Sequence, residues 1–324
     1  MWPLVRRRLV EAVGIAWLVG TLAFVLLHLA PGDPLGQVRA DPRISAEARA
    51  AWRRSLDLEA PPVERYLRYV GGLLRGDLGI SLARQRPVRQ VLAEALPPSL
   101  LLVGVALVAS VALALLLGAW QAQRAERAGD LLAGAVTSAL GAVPEPWLAT
   151  LLLALFAAEW RWLPFGGACA PTLCEAGLGW GALIDRARHL VLPAATLTLL
   201  FAATLARVHR AAVLMVTGDA ASLAARSRGI GARRITWRHE LPRALSPLLT
   251  VVALSLPALV GGTVFVERVF GWPGMGMLLV DAVASRDYPL LTATAMLGGL
   301  LVVLGALLAD LAALRLDPRL AAPT

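Results

Sequence analysis

Lysine is missing from this chain: all 31 of its basic positions are arginine. That absence excludes a P-loop ATPase, whose lysine reaches the β- and γ-phosphates, and also Schiff-base and pyridoxal phosphate enzymes, which need a lysine amine. Cysteine is almost missing too. Cys169 and Cys174 are the only two, too few for a thiolate metal site or a disulfide scaffold. They leave two readings, one small disulfide in a loop facing an oxidising compartment or two unpaired thiols. The histidines His28, His189, His209 and His239 are scattered and form no ligand set. HELPR, from His239, lacks the second histidine of HExxH, and no GxSxG occurs. We therefore expect no catalytic residue, no metal and no cofactor bound by this chain, which is not an enzyme. Charge is scarce as well, at 16% of positions against about 25% in soluble domains.

What is abundant is hydrophobicity, at 58% of the 324 positions. A bilayer core takes about 20 mostly apolar residues per helix. Charge-free runs of that size fall at roughly 10–30, 95–120, 131–158, 189–206, 244–266 and 288–309. The expectation is an all-α polytopic membrane protein with six transmembrane helices, the third kinked or broken by Pro144-Glu145-Pro146. The first run follows Arg6, Arg7 and Arg8 like a signal peptide but shows no cleavage site, so it reads as a retained anchor. Arginines of the short loops fall mainly on the side of the N-terminus, which favours N- and C-termini inside. The chain divides into an N-terminal tip with the first helix (1–30), an external segment (31–94), a membrane core (95–312) and an inner tail (313–324). Trp120, Trp160 and Trp162 lie at span ends, as interfacial aromatics do. The net charge of +9 reads as a topological signal toward the bilayer rather than a nucleic-acid surface.

The inner loop from Arg207 to Arg243 holds the largest local excess of arginine. Asp219 suits the N-cap of a short helix from Ala220 to Arg228, which Gly229 and Gly231 end at low cost. Ala220, Ala221, Ala224 and Ala225 make a face that another surface can approach closely, with Arg226 and Arg228 offering charge. The loop is either a docking helix for a partner or only the positive-inside signal. On the outer side GWPGMG, from Gly271, cannot be regular helix. It reads as the mouth of a path near Glu267, Asp281 and Asp287, or as an ordinary external turn. Glu145 either lines the path, contacts a partner or sits nearer the surface. Glu11 and Asp310 lie by the inner face, snorkelling or paired.

A family resemblance rests on these stretches. Ala224-Ala225-x-x-x-Gly229, followed by Leu241-Pro242, resembles the EAA loop of inner-membrane permeases in binding-protein-dependent ABC importers. ARSRG with RHELPRALSPLLT is similar to the dipeptide/oligopeptide/nickel subfamily. FVLLHLAPGDP, GDLGISLARQRPV, HLVLPAATLTL, VERVFGWPGMGMLLVDAVASRDYPLL and LDPR extend the likeness over nearly the whole chain, in order, and resemble the B-type permease. The resemblance implies a type I ABC importer permease fold with its EAA-type loop at about 212–243. It implies one half of a translocation path for peptides or nickel in a bacterial inner membrane. It also implies a heterodimer with a second permease, an external substrate-binding protein, and two cytoplasmic ATPase subunits that hold the ATP and Mg. The coupling element would be Ala220 to Gly231. Leu223 stands where the general motif has Glu, and His239 where it has Ile. The path would run by Glu145, Glu267, Trp272, Gly274, Gly276 and Asp287. The rival reading is a stand-alone channel or secondary transporter for a small solute, which would carry an inverted repeat; none is evident.

Overall fold

The computed structural model describes residues 2–29, 61–175 and 179–316, apart from some side chains within them, those of 253–262 included. The Pro31-Gly32-Asp33-Pro34 motif, the helix-forming patch at 46–56 and most of the tail, LDPR included, lie outside the described residues. Helix α1 is Trp2–Leu29 and α2 is Pro62–Leu74. Helix α3, Val88–Gln123, is followed by α4, Ala128–Ala142, and α5, Glu145–Leu152, which continues as a π-helical stretch, Leu153–Glu159. A short α6, Pro171–Glu175, precedes α7, Trp180–Thr217. Then come α8, Ala220–Ser227, and α9, Ala232–Ile235. A second π-helical stretch, Thr236–Glu240, runs into α10, Leu241–Phe270. Helices α11, Met275–Ala284, and α12, Tyr288–Leu316, complete the order. Among the described residues the β structure is one isolated bridge, Ile80 to Pro87, so the chain is all-α.

Helices α1, α3, α7 and α12 each carry a stretch long and apolar enough to cross a bilayer, and α4 with α5 and its π-helical extension adds a fifth if counted as one span. The two halves of that pair meet at 105°. Val143 and Pro144 are extended (ψ 127° and 135°), and Pro144 and Pro146 lack the N–H that would carry the α4 ladder onward. Helix α10 sits where the remaining span is expected. Its 30 residues rise about 45 Å, more than a hydrocarbon core of about 30 Å.

Three expected boundaries move. Helix α3 begins at Val88 rather than 95, so the division at 94 between the external segment and the core falls inside a helix. The charge-free run begins only after Glu94, whereas the helix already includes the charged turns before it and continues through Pro97 and Pro98. Helix α7 runs on to Thr217, so the first third of the inner loop from Arg207 is helix.

Helices α3, α7 and α10 form the core. Leu102 and Ala106 of α3, Leu192 and Leu197 of α7 and Val266 and Phe270 of α10 share one buried cluster. Nearer the other end Ala114, Leu205, Ala206 and Leu248 form another. Small residues let the backbones touch: a Cβ on Gly118 would lie 2.8 Å from the Ala206 carbonyl oxygen. Helix α1 packs on α12, where Arg8 bonds both Asp310 and Glu11, so these two carboxylates are paired. The described part of the external segment is docked on the helices. Phe24 of α1 lies 5.4 Å from Tyr66 and 5.6 Å from Tyr69, ring centre to ring centre, and Tyr66 bonds Thr21. Burial pushes the Tyr69 phenol up to about 12, with Tyr66 adding to it. Trp160 meets Phe156 edge to face and Trp162 lies tilted against both at the end of the π-helical stretch, and Arg124 lies over Trp120.

Candidate coupling and path sites

The expected inner helix is present as α8. The Asp219 carboxylate accepts from the Ser222 amide at 2.9 Å, closing the N-terminus. Gly229 ends the helix just beyond Arg228, in the left-handed region at φ +74°. The helix rests on one buried side chain, Ser222, whose hydroxyl donates to the Val216 carbonyl at 2.8 Å. Ala220, Ala221, Ala224, Arg226, Arg228 and Gly231 are exposed, and Ala225 is half-buried. Leu223, where the motif has Glu, is 55% exposed. The small-residue face is thus open and apolar, with arginines at its end. Leu241 and Pro242 open α10, Leu241 half-buried, and the side chain of Pro242 lies outside the described set.

Sequence reasoning missed what holds α8 in place. Asp219 is also paired with Arg243 of α10. That guanidinium, with the Ser222 amide second, holds the Asp219 carboxyl down at about 2. Arg226 lies 3.5 Å from Glu240, a buried carboxylate that also accepts from the Thr236 hydroxyl at 3.0 Å. Deeper in, Arg210 of α7 grips Asp130 of α4 with two bonds of 2.7 and 2.6 Å. Asp130 is 2% exposed and takes the Glu126 amide as well. Arg210 and Arg243 had been read only as positive-inside charge, and no local signal distinguishes them, because their partners lie 80 and 24 residues away.

The outer residues take a different form. At Gly271 (φ +59°) helix α10 ends in a Schellman motif: the Trp272 amide donates to the Glu267 carbonyl at 2.8 Å and the Gly271 amide to Arg268. Glu267 is fully buried, and its carboxylate accepts from the Ser99 hydroxyl at 2.6 Å and the Met277 amide at 2.9 Å. Ser99 in turn accepts from the Met275 amide at 2.7 Å, and the Trp272 indole donates to the Pro98 carbonyl at 3.0 Å. Gly274 and Gly276 are glycine because the packing leaves no room. A Cβ on Gly274 would run into the Glu267 carboxyl and Ser99, and one on Gly276 would lie 2.6 Å from the Val264 Cα. Asp287 is buried too, taking the Ser81 hydroxyl and the Ala83 and Leu290 amides. Glu267, Trp272, Gly274, Gly276 and Asp287 therefore sit in the packed interior of this chain, and the structure does not bring them to an open surface. Asp281 is half-exposed beside Arg84 and Arg268, at a cleft of about 440 Å³ lined by Ala83, Arg84, Ser285 and Leu290.

Glu145 lies apart from these, at the bend between α4 and α5. It is half-buried, and its Oε1 is shielded from solvent without a hydrogen-bond partner. The Cys169 sulfur is disulfide-bonded, and the side chain of Cys174 lies outside the described residues. The amide of Ala170, beside it, is anchored on Asp185 at 2.6 Å.

The family model described as "Binding-protein-dependent transport system inner membrane component" matches residues 114–322. The oligopeptide transport system permease protein AppB of Bacillus subtilis (strain 168) is 33% identical over 316 residues, covering 97% of this chain and 98% of that protein. The probable peptide ABC transporter permease protein y4tP of Sinorhizobium fredii is 34% identical over 97% of each chain. The glutathione transport system permease protein GsiC of Escherichia coli (strain K12) is 31% identical over 96% of each. Among solved structures, one titled "Crystal structure of an amino acid ABC transporter with histidines" aligns with a TM-score of 0.50 at 16% identity. The alignment covers 70% of this chain and 94% of that one, a likeness of fold.

Proposed function

This chain belongs to the family of binding-protein-dependent transport system inner membrane components, as a multi-pass permease subunit of an ABC importer, and from that premise we propose how it works and what it carries. It forms half of a translocation path with a second permease, takes cargo from an external binding protein, and docks two ATPase subunits that hold the ATP and Mg. Its own part is binding and motion, without covalent chemistry. The observation that carries this reading is the open face of α8. Leu223 and the alanines beside it are exposed on a helix held at both ends. Covering a leucine side chain is worth about 1.5–3 kcal/mol, so an apolar groove on an ATPase is the natural cover for Leu223 even without the motif's glutamate.

The termini lie on the inner side, with α8 inside and Cys169 and Cys174 joined outside. A cysteine at Ser227, with the co-expressed ATPase in place, should cross-link to that ATPase. Labelling of that cysteine from outside intact cells would overturn the topology. The cargo is peptide. Relatives named for oligopeptide, peptide and glutathione transport support this, as does the lack of a metal-ligand cluster among the described residues. Glu145, with its unbonded carboxylate oxygen in a broken span, is our candidate for the path wall. Vesicles holding the full complex should take up labelled peptide only with ATP and the binding protein. Uptake of nickel instead would replace the cargo, and uptake without ATP would favour a stand-alone channel or secondary transporter.

A further inference from the structure

Two routes join α8 to α10. The covalent route runs through the turn at Gly229, the four-residue α9 and the π-helical stretch Thr236–Glu240. It is jointed: a left-handed turn is followed by a short helix, and then by a register in which the hydrogen-bond ladder is wider than in an α-helix. The second route bypasses it. Arg243, in the first turn of α10, pairs with Asp219, the N-cap of α8, across 24 residues of sequence. Arg226, in the last turn of α8, pairs with Glu240, the last residue of the π-helical stretch and the N-cap of α10. The same N-cap is fixed to α7 through Ser222 and Val216.

We propose that Arg243 and Glu240 are positioning residues that clamp both ends of α8 to the foot of α10, so that a displacement of α8 is delivered to α10 instead of being absorbed in residues 229–239. This rests on the coupling role proposed above for α8. Helix α10 runs from there to the far end of the molecule, where Glu267 holds the α11 turn. A push on α8 that reaches α10 is therefore carried to the packing around Glu267, alongside the direct connection of α8 to α7. The clamp is set by charge and direction rather than by packing, since Asp219 and Arg226 each meet their partner through the tip of a long arginine.

The test uses the complete importer in vesicles, with both permeases, the ATPases and the binding protein, and reads the ratio of ATP hydrolysis with loaded binding protein to hydrolysis without it. Arg243→Gln and Glu240→Gln should each lower that ratio by roughly three- to thirty-fold, the range that coupling residues span. ATP used per molecule transported should rise alongside. Arg243→Lys, which keeps the charge, should restore most of the ratio. A ratio that stays within about two-fold of wild type in both glutamine variants overturns the proposal. So does loss of the ATPases on purification of Arg243→Gln and Arg243→Lys alike, because the residue then holds the fold rather than transmitting motion. A wild-type complex whose hydrolysis ignores the binding protein is a separate result, and it overturns the coupling role of α8 itself.

Discussion

Glu267 and Asp287, at one end of this protein, are satisfied differently from Asp130, Asp219 and Glu240, at the other. Glu267 and Asp287 are buried and take hydroxyls and backbone amides, with no arginine among the bonds described for them. Asp130, Asp219 and Glu240 each also meet a guanidinium whose own side chain reaches solvent. A carboxylate held by backbone amides is fixed by the fold around it, and its partners cannot leave without the chain moving. One held by a long exposed arginine can be released and retaken. The Glu267 end is thus built as a fixed joint and the Asp219 end as an adjustable one.

The largest effect that sharpens this contrast comes from Gly274→Val at the fixed joint. It drives carbon into the Glu267 carboxyl, and overpacking of this kind costs about 3 kcal/mol or more where neighbours cannot move. Folded protein should be lost from the membrane fraction, and normal levels would show that the joint yields. Next is Ser99→Ala, which takes the hydroxyl from Glu267 and leaves the Met275 amide without its acceptor. About 1–3 kcal/mol should be lost, read as a lower melting temperature in detergent. At the other end Arg210→Gln should have a smaller effect, because Asp130 keeps the Glu126 amide and Gln121. A fall of roughly 2–4 °C is expected, with faster proteolysis at the turn 124–127. A larger fall than for Ser99→Ala would break the comparison.

The smallest effect concerns pH. The Asp219 carboxyl is lowered from 3.8 to about 2 in the folded protein. Its pairing therefore contributes fully above 3.8, fades as pH falls toward 2 and is gone below that. Hydrogen-exchange protection factors of residues 217–228, that is, rates divided by the intrinsic rate at each pH, should be the same at roughly pH 5 and pH 8 and fall only in strong acid or high salt. A change between those two pH values would mean that a group other than Asp219 governs this end.

What was legible beforehand follows from how local each feature is. Helix α8 was readable because its cap, Asp219, and its terminator, Gly229, are its own sequence neighbours. The break at Pro144-Glu145-Pro146 was readable because proline acts where it stands. The start of α3 was misplaced because the span was bounded by its charge-free run, which begins after Glu94, although Val88, Val91 and Leu92 already pack against Met275 and Leu278. Glu267 and Asp287 were picked out for chemistry and placed beside a path. Their hydroxyl partners, Ser99 and Ser81, lie 168 and 206 residues away, beyond what spacing can report. The same distance hid Arg243 and Arg210 among charges that looked merely topological.

The sharp bend after α4 also bears on the order in which the chain can be made. Helix α4 has 15 residues, a rise of about 22 Å, and the half that follows it, α5 with its π-helical extension, ends at Glu159. Neither half spans a hydrocarbon core of about 30 Å alone. Asp130 meanwhile meets Arg210, which the ribosome reaches 80 residues later. The bond that ties α4 to α7 can therefore close only after the fourth hydrophobic segment has been synthesised.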